Sequence, residues 1–233
     1  MKNLCYKGAG VIISLTSTIV ADLLGQRWRN FTTSLSCETQ VSDKIYSLIA
    51  DSYHQFFRHY HGFNHLADCF NHLDEIKETL AQPAVVEYAL WFHDIVCVPN
   101  SKSNETVSAV VADYAADQLG VAREFSRQAT NLILLTSHKE TADSQEGAYL
   151  LDIDLAVLGR DWDGFLCYEE QIRDEYSHLD TGTYQQGRRQ IIEQFLGKPA
   201  IYQTDYFREK YEQAARRNLT ALKDLFNNIC EIK

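Results

Sequence analysis

Five of the eight histidines lie between His54 and His72, three of them in the run Arg58-His59-Tyr60-His61-Gly62-Phe63-Asn64-His65-Leu66. One helix further along comes an adjacent pair, His93-Asp94, directly after Phe92. Imidazole titrates near neutral pH and ligates divalent metals through a neutral ring nitrogen, so this enrichment points to acid–base chemistry, metal binding or both. Later in the chain Asp152 and Asp154 interrupt the apolar run from Tyr149 to Gly159. A carboxylate in apolar surroundings is neutralised, paired or bound to a cation. Together His65, His93, Asp94 and one of the two later aspartates supply two nitrogen and two oxygen donors. That mixed set suits a divalent cation such as Mn, Co, Ni, Fe or Zn, with Mg also admissible. Positions left open on such an ion take water, and activated water is a nucleophile for hydrolysis.

The elements that must position these residues read as helices. Asp22 to about Phe31 forms a short one, and Ser34 to Gln40 is a polar loop. From Asp43, the spacing of Ile45, Leu48, Ile49, Tyr53, Phe56, Phe57 and Tyr60 predicts a helix that runs up to the histidine stretch. Gly62 breaks it, and Asn64 to Leu80 follows. Pro83 opens a nearly all-apolar, central helix through Val96, since a missing N–H costs nothing in a first turn. Asn104 caps Glu105 to Leu119, Gly120 punctuates, and Arg123 to His138 comes next. After a polar loop, Lys139 to Gln145, come helices over Tyr149 to Gly159, Trp162 to His178, Thr183 to Leu196 and Tyr206 to Ile229. No alternating strand pattern and no internal repeat is evident. The expected fold is all-α, a compact single-domain helical array.

Composition bounds the function. With 233 residues, 45% hydrophobic and 23% charged, the chain has material for one full-sized soluble domain. A net charge of −10 argues against general nucleic-acid binding, which needs a basic surface. It leaves room for a small phosphorylated substrate. The six cysteines are scattered without a C-x-x-C, which reads as reduced thiols of a cytoplasmic protein. Lys2 and Lys7 precede an apolar stretch, Ala9 to Val20, that is too short and too rich in hydroxyls to span a membrane. No small-x-small cleavage site follows it. The expectation is an extension of uncertain structure over residues 1–21 ahead of a domain over 22–233, and the alternative is a signal peptide.

The order histidine, His-Asp, aspartate on separate helices resembles the HD-domain superfamily of metal-dependent phosphohydrolases. Tyr60-His61-Gly62-Phe63-Asn64-His65-Leu66-Ala67-Asp68 is similar to the Y-H-x-x-x-H-x-x-D motif of cyclic-nucleotide phosphodiesterases. The group of predicted HD-superfamily phosphohydrolases shares further features: R-x-Y-H, F-H-D, N-E-x-x-S-A at Asn104 to Ala109, and D-x-D-L at Asp152 to Leu155. Gly187-Arg188 and Ala215-Arg216 match its later G-R and A-R-x-N-L, with Arg217 in the x position before Asn218-Leu219. The resemblance covers residues 22 to 227. It implies an HD-like all-α fold, His65, His93, Asp94 and Asp154 as metal ligands, and His61 as general acid to the leaving oxygen. Asp154, followed by leucine, is favoured over Asp152, which would orient a ligand or a water.

Other candidates stand beside plainer readings. Glu105 is either an active-site carboxylate handling the water's proton or an ordinary acid in a helix's first turn. His138 is a candidate neighbour of the site, and His54, His59 and His72 are surface or packing residues. Arg58, Arg188 and Arg216 are candidate phosphate clamps, since a guanidinium grips phosphate oxygens with parallel bonds; the alternative is a structural ion pair. Tyr184 and Tyr202 either stack a base or pack in the core. The expected function is hydrolysis of a phosphate ester or anhydride, of a nucleotide by preference, by metal-activated water. The competing expectation is a nucleotide-binding regulatory module that keeps the fold without turnover.

Overall fold

The computed structural model describes residues 10–230, with the backbone alone for 10–17 and 228–230. Lys2, Lys7 and Ala9 of the expected extension, and the side chain of Ile229, lie outside the described residues. All regular structure among the described residues is helical. The chain divides into two compact units between Glu140 and Thr141, inside the polar loop read from the sequence.

The first unit holds α1 (Gly10–Ser34), α2 (Thr39–Tyr53), α3 (Phe63–Ile76), α4 (Pro83–Phe92), α5 (Asn104–Leu119) and α6 (Arg123–Leu135). The boundary expected at residue 21 falls inside α1, which runs on without a break. Its Trp28 is fully buried, meets Trp91 edge-on with ring centroids 5.3 Å apart, and donates from Nε1 to the Ser42 carbonyl at 2.9 Å. Arg27, one residue earlier, bonds Asp74 of α3 at 2.7 Å and Glu87 of α4 at 2.8 Å. Helix α4 is the apolar centre: Val85, Val86 and every residue from Tyr88 to Phe92 are buried, and it packs on α3, α5 and α6. An all-round apolar helix belongs in such a place. Helices α5 and α6 form a hairpin turned at Gly120, whose φ of +70° suits a residue without Cβ.

Several helix ends fall earlier than the spacing predicts, and three of them in this unit set the backbone at histidines. Helix α2 stops at Tyr53, where the His54 ring nitrogen bonds the Ala50 carbonyl at 2.9 Å, and Phe56, expected on the buried stripe, is 92% exposed. Helix α4 stops at Phe92, so His93 and Asp94 stand in the turn that follows it. Helix α6 ends at Leu135, and His138 adopts a left-handed φ of 53°.

The second unit contains α7 (Gln145–Leu155), a 3-10 turn (Ala156–Gly159), α8 (Trp162–Glu175), α9 (Thr181–Gly197), a single turn α10 (Asp205–Phe207), a π-helical turn (Arg208–Glu212) and α11 (Gln213–Cys230). Side-chain oxygens of Ser144, Asp161, Asp180 and Thr204 cap the first turns of α7, α8, α9 and α10. Gly159 lets Tyr211 approach closely: a Cβ there would lie 2.5 Å from the Tyr211 Cβ, an atom no rotamer change can move aside. Gly159→Ala is therefore expected to destabilise the protein by about 1–3 kcal/mol through overpacking. Urea denaturation followed by circular dichroism measures this, and wild-type stability would refute the tight contact.

Candidate metal centre

His65 lies on the buried stripe of α3, in register with Cys69 and Leu73, and His93 and Asp94 follow the C-terminal end of α4. Three atoms converge there. His65 Nε2 is 3.1 Å from His93 Nε2, His93 Nε2 is 3.2 Å from Asp94 Oδ2, and His65 Nε2 is 3.6 Å from the same oxygen. Two donors sharing one ion at 2.0–2.2 Å stand about 2.9 Å apart at a right angle and about 3.4 Å apart at the tetrahedral angle. The triangle has edges of that size, so these residues could hold a divalent cation. The imidazole side chains are 2% and 1% exposed whereas the Asp94 side chain is 23% exposed, so solvent reaches the cluster at the carboxylate. The C-terminal end of α4 adds partial negative charge, which favours a cation.

The orientation of one imidazole is set locally. The Leu90 carbonyl accepts from His93 Nδ1 at 2.8 Å, so a proton sits on Nδ1 and Nε2 is the nitrogen turned to the cluster. Cys69, buried four residues after His65, was not foreseen. Its Sγ lies 3.7 Å from Nε2 and 3.8 Å from Nδ1 of His65. Near-equal distances put the thiol against the ring rather than in line with either lone pair.

The backbone after α4 is irregular, and side chains account for it almost group by group. The Trp91 carbonyl accepts from the Tyr53 hydroxyl at 3.4 Å, and the Phe92 carbonyl from the Ile95 N–H at 3.1 Å. Burial pushes the Tyr53 phenol well above its ordinary range, with the Asp94 charge acting the same way, so it stays a neutral donor. Arg58 donates to the carbonyls of Asp94 at 2.5 Å and Ile95 at 2.8 Å. From the other side, Ser108 Oγ accepts from the Val96 N–H at 3.1 Å and lies 3.4 Å from the Val96 carbonyl oxygen. Asn104 does the same for Val98, accepting at 3.1 Å and donating at 3.0 Å. Asn104 is thus the first residue of α5, with Ser103 at the cap position, and its amide holds the preceding loop instead of capping the helix. The i, i+4 spacing of Asn104 and Ser108, on one face of a helix just after His-Asp, was the available signal.

The three arginines named as phosphate clamps have protein partners. Arg58 is 9% exposed and, besides the two carbonyls above, bonds Gln55 Oε1 and the His61 carbonyl, each at 3.1 Å. Arg188 is buried in a two-point pair with Glu169, with Tyr168 Oη 2.8 Å away. Arg216 pairs with Glu212 at 2.6 Å and donates to the carbonyls of Leu196, Lys198 and Pro199. Guanidiniums so engaged brace the fold, and the clamp expectation finds no support in their geometry. Tyr184 and Tyr202 are likewise buried. Tyr202 donates to the Leu155 carbonyl at 3.0 Å, which makes it core and not a base-stacking platform.

The two later aspartates differ sharply. Asp152 is fully buried and accepts from the Gln203 N–H, the Thr204 N–H and the Thr204 hydroxyl, each at 2.7 Å. Burial raises its pKa, against the pull of those bonds. Its carboxylate fastens the loop before α10, so the ligand-orienting role expected of it has a plainer replacement. Asp154 is half-buried in the last turn of α7, directly before Leu155.

His61 is half-buried on the loop between α2 and α3, its ring centroid 6.0 Å from that of His65. Glu105 is half-buried in the first turn of α5. His54 and His59 are exposed, and His72 faces Glu75 at 3.5 Å, as surface residues do. No family model, curated protein or solved structure matches the chain.

Ser108→Ala leaves the Val96 N–H without its partner. We expect a loss of about 1–3 kcal/mol, the cost of an unsatisfied donor. Faster hydrogen exchange should be confined to the segment from Ile95 to Val98. Unchanged exchange there, read by mass spectrometry, would count against the brace.

Proposed function

We propose that the protein is a metal-dependent hydrolase of phosphate esters or anhydrides, with a nucleotide as its preferred substrate class. The observation that carries this reading is the triangle of His65 Nε2, His93 Nε2 and Asp94 Oδ2, with edges of 3.1, 3.2 and 3.6 Å. The donor set is two imidazoles and a carboxylate, which suits Mn, Co, Ni, Fe or Zn and admits Mg. Among the described residues no helix is long and apolar enough to cross a membrane, and the net charge of −10 fits a small anionic substrate met at a cation better than a polyanion met by a basic surface.

A divalent cation bound by this set supplies activation of a water and polarisation of a phosphoryl oxygen. The chain's own residues do the rest. His65 and His93 present ring nitrogens from a buried wall, and Asp94 presents its carboxylate on the solvent side. Asp154 is the proposed fourth ligand, by resemblance to the HD superfamily and because Asp152 is engaged elsewhere. His61 donates a proton to the leaving oxygen, and Glu105 accepts the proton of the attacking water.

Metal analysis of the purified protein, then turnover of a nucleotide panel and a generic phosphodiester with Mn or Co, tests this reading. His93→Ala and Asp94→Ala should lose both bound metal and activity. His61→Ala should keep the metal and lose about 10²–10⁴-fold in kcat. Asp154→Ala should weaken metal binding, whereas Asp152→Asn should lower stability and leave metal binding intact. Full activity in metal-free protein would refute the mechanism, and tight nucleotide binding without turnover would favour the regulatory module.

A further inference from the structure

Two irregular segments carry the proposed chemistry. One is the loop from Gln55 to Gly62, with His61; the other is the turn after α4, with His93 and Asp94. Helical hydrogen bonding fixes neither of them. The Arg58 guanidinium lies across both, and the division of its bonds is specific. Nη1 bonds the His61 carbonyl at 3.1 Å and the Asp94 carbonyl at 2.5 Å, Nη2 the Ile95 carbonyl at 2.8 Å, and Nε the Gln55 side chain at 3.1 Å. One nitrogen thus touches the backbone of both the acid-bearing residue and a ligand residue. The Tyr53 ring lies under the guanidinium, its centroid 5.1 Å from the guanidinium carbon, a cation–π contact.

We infer that Arg58 is a positioning residue that holds His61 and the His93-Asp94 turn in register, and through that register sets the geometry and affinity of the metal site. The inference rests on the metal reading above. The group must be a fork: a lysine supplies one point charge and cannot serve carbonyls of both segments in fixed directions. The Asp94 and Ile95 carbonyls lie just past the end of α4, where a cation is favoured and an unpaired carbonyl is costly, which suits Arg58 to the place. Loss of an outer partner of this kind weakens metal binding about 10–100-fold in other sites.

The test is Arg58→Lys in the full chain, titrated with Co²⁺ beside the wild type, with visible absorption reporting ligand geometry. The expected result is a folded variant whose Co²⁺ affinity falls about 10–100-fold and whose absorption bands shift. In turnover, kcat falls by more than KM rises. A variant with wild-type affinity and an unchanged spectrum overturns the inference and leaves the metal reading standing. A wild-type protein that takes up no Co²⁺ overturns both. Should the variant not fold, the wild type decides. The Arg58 Nε–H resonance in ¹⁵N spectra should move when Zn²⁺ is added, and a resonance that stays put overturns the inference.

Discussion

The end of α4 is the constraint on which the first unit depends. Burying an apolar helix on all sides draws its terminus into the interior, where backbone carbonyls lose the water that would otherwise satisfy them. The carbonyls of Leu90, Trp91, Phe92, Asp94 and Ile95 each find a partner, and the partners come from α2, from the loop before α3 and from the turn itself. Val96 and Val98 are answered from α5. A helix end solved this way is rigid, and it presents one imidazole and one carboxylate side by side. The candidate metal centre is a consequence of how the core helix stops.

The same logic runs through the second unit. Asp152 fastens the loop before α10, Glu212 accepts from the N–H groups of Ile201 and Tyr202, and Asn218 donates to the carbonyls of Leu158 and Arg160. The buried Arg188–Glu169 pair joins α9 to α8. Polar residues that stand out in these helices hold backbone that could not hold itself.

What was legible in the sequence follows from this division. Apolar spacing such as Ile45, Ile49 and Tyr53 announces a buried helix face, and the all-α class followed from it. The pairing of His65 with His93-Asp94 was legible because two imidazoles and a carboxylate at those places have few other uses. Helix ends were not legible, because they depend on partners distant in sequence: the aromatic run through Phe57 and Tyr60 continues the helical period past the residue where α2 stops. The arginines misled for a related reason. A guanidinium meets a row of carbonyls as readily as a phosphate, and only the fold reveals which one faces it. Cys69 escaped notice because a lone buried cysteine looks like any small apolar residue until the ring beside it is seen.

The bond from His93 Nδ1 to the Leu90 carbonyl spans three residues within one turn of chain. A contact this local costs little loop entropy, so the orientation of this ring is set within its own turn of chain. His65 instead comes into place only when α3 docks on α4. The two nitrogens of the candidate site are therefore fixed by different means, His93 by its own turn of chain and His65 by tertiary packing. The candidate site is therefore complete only where α3 packs on α4.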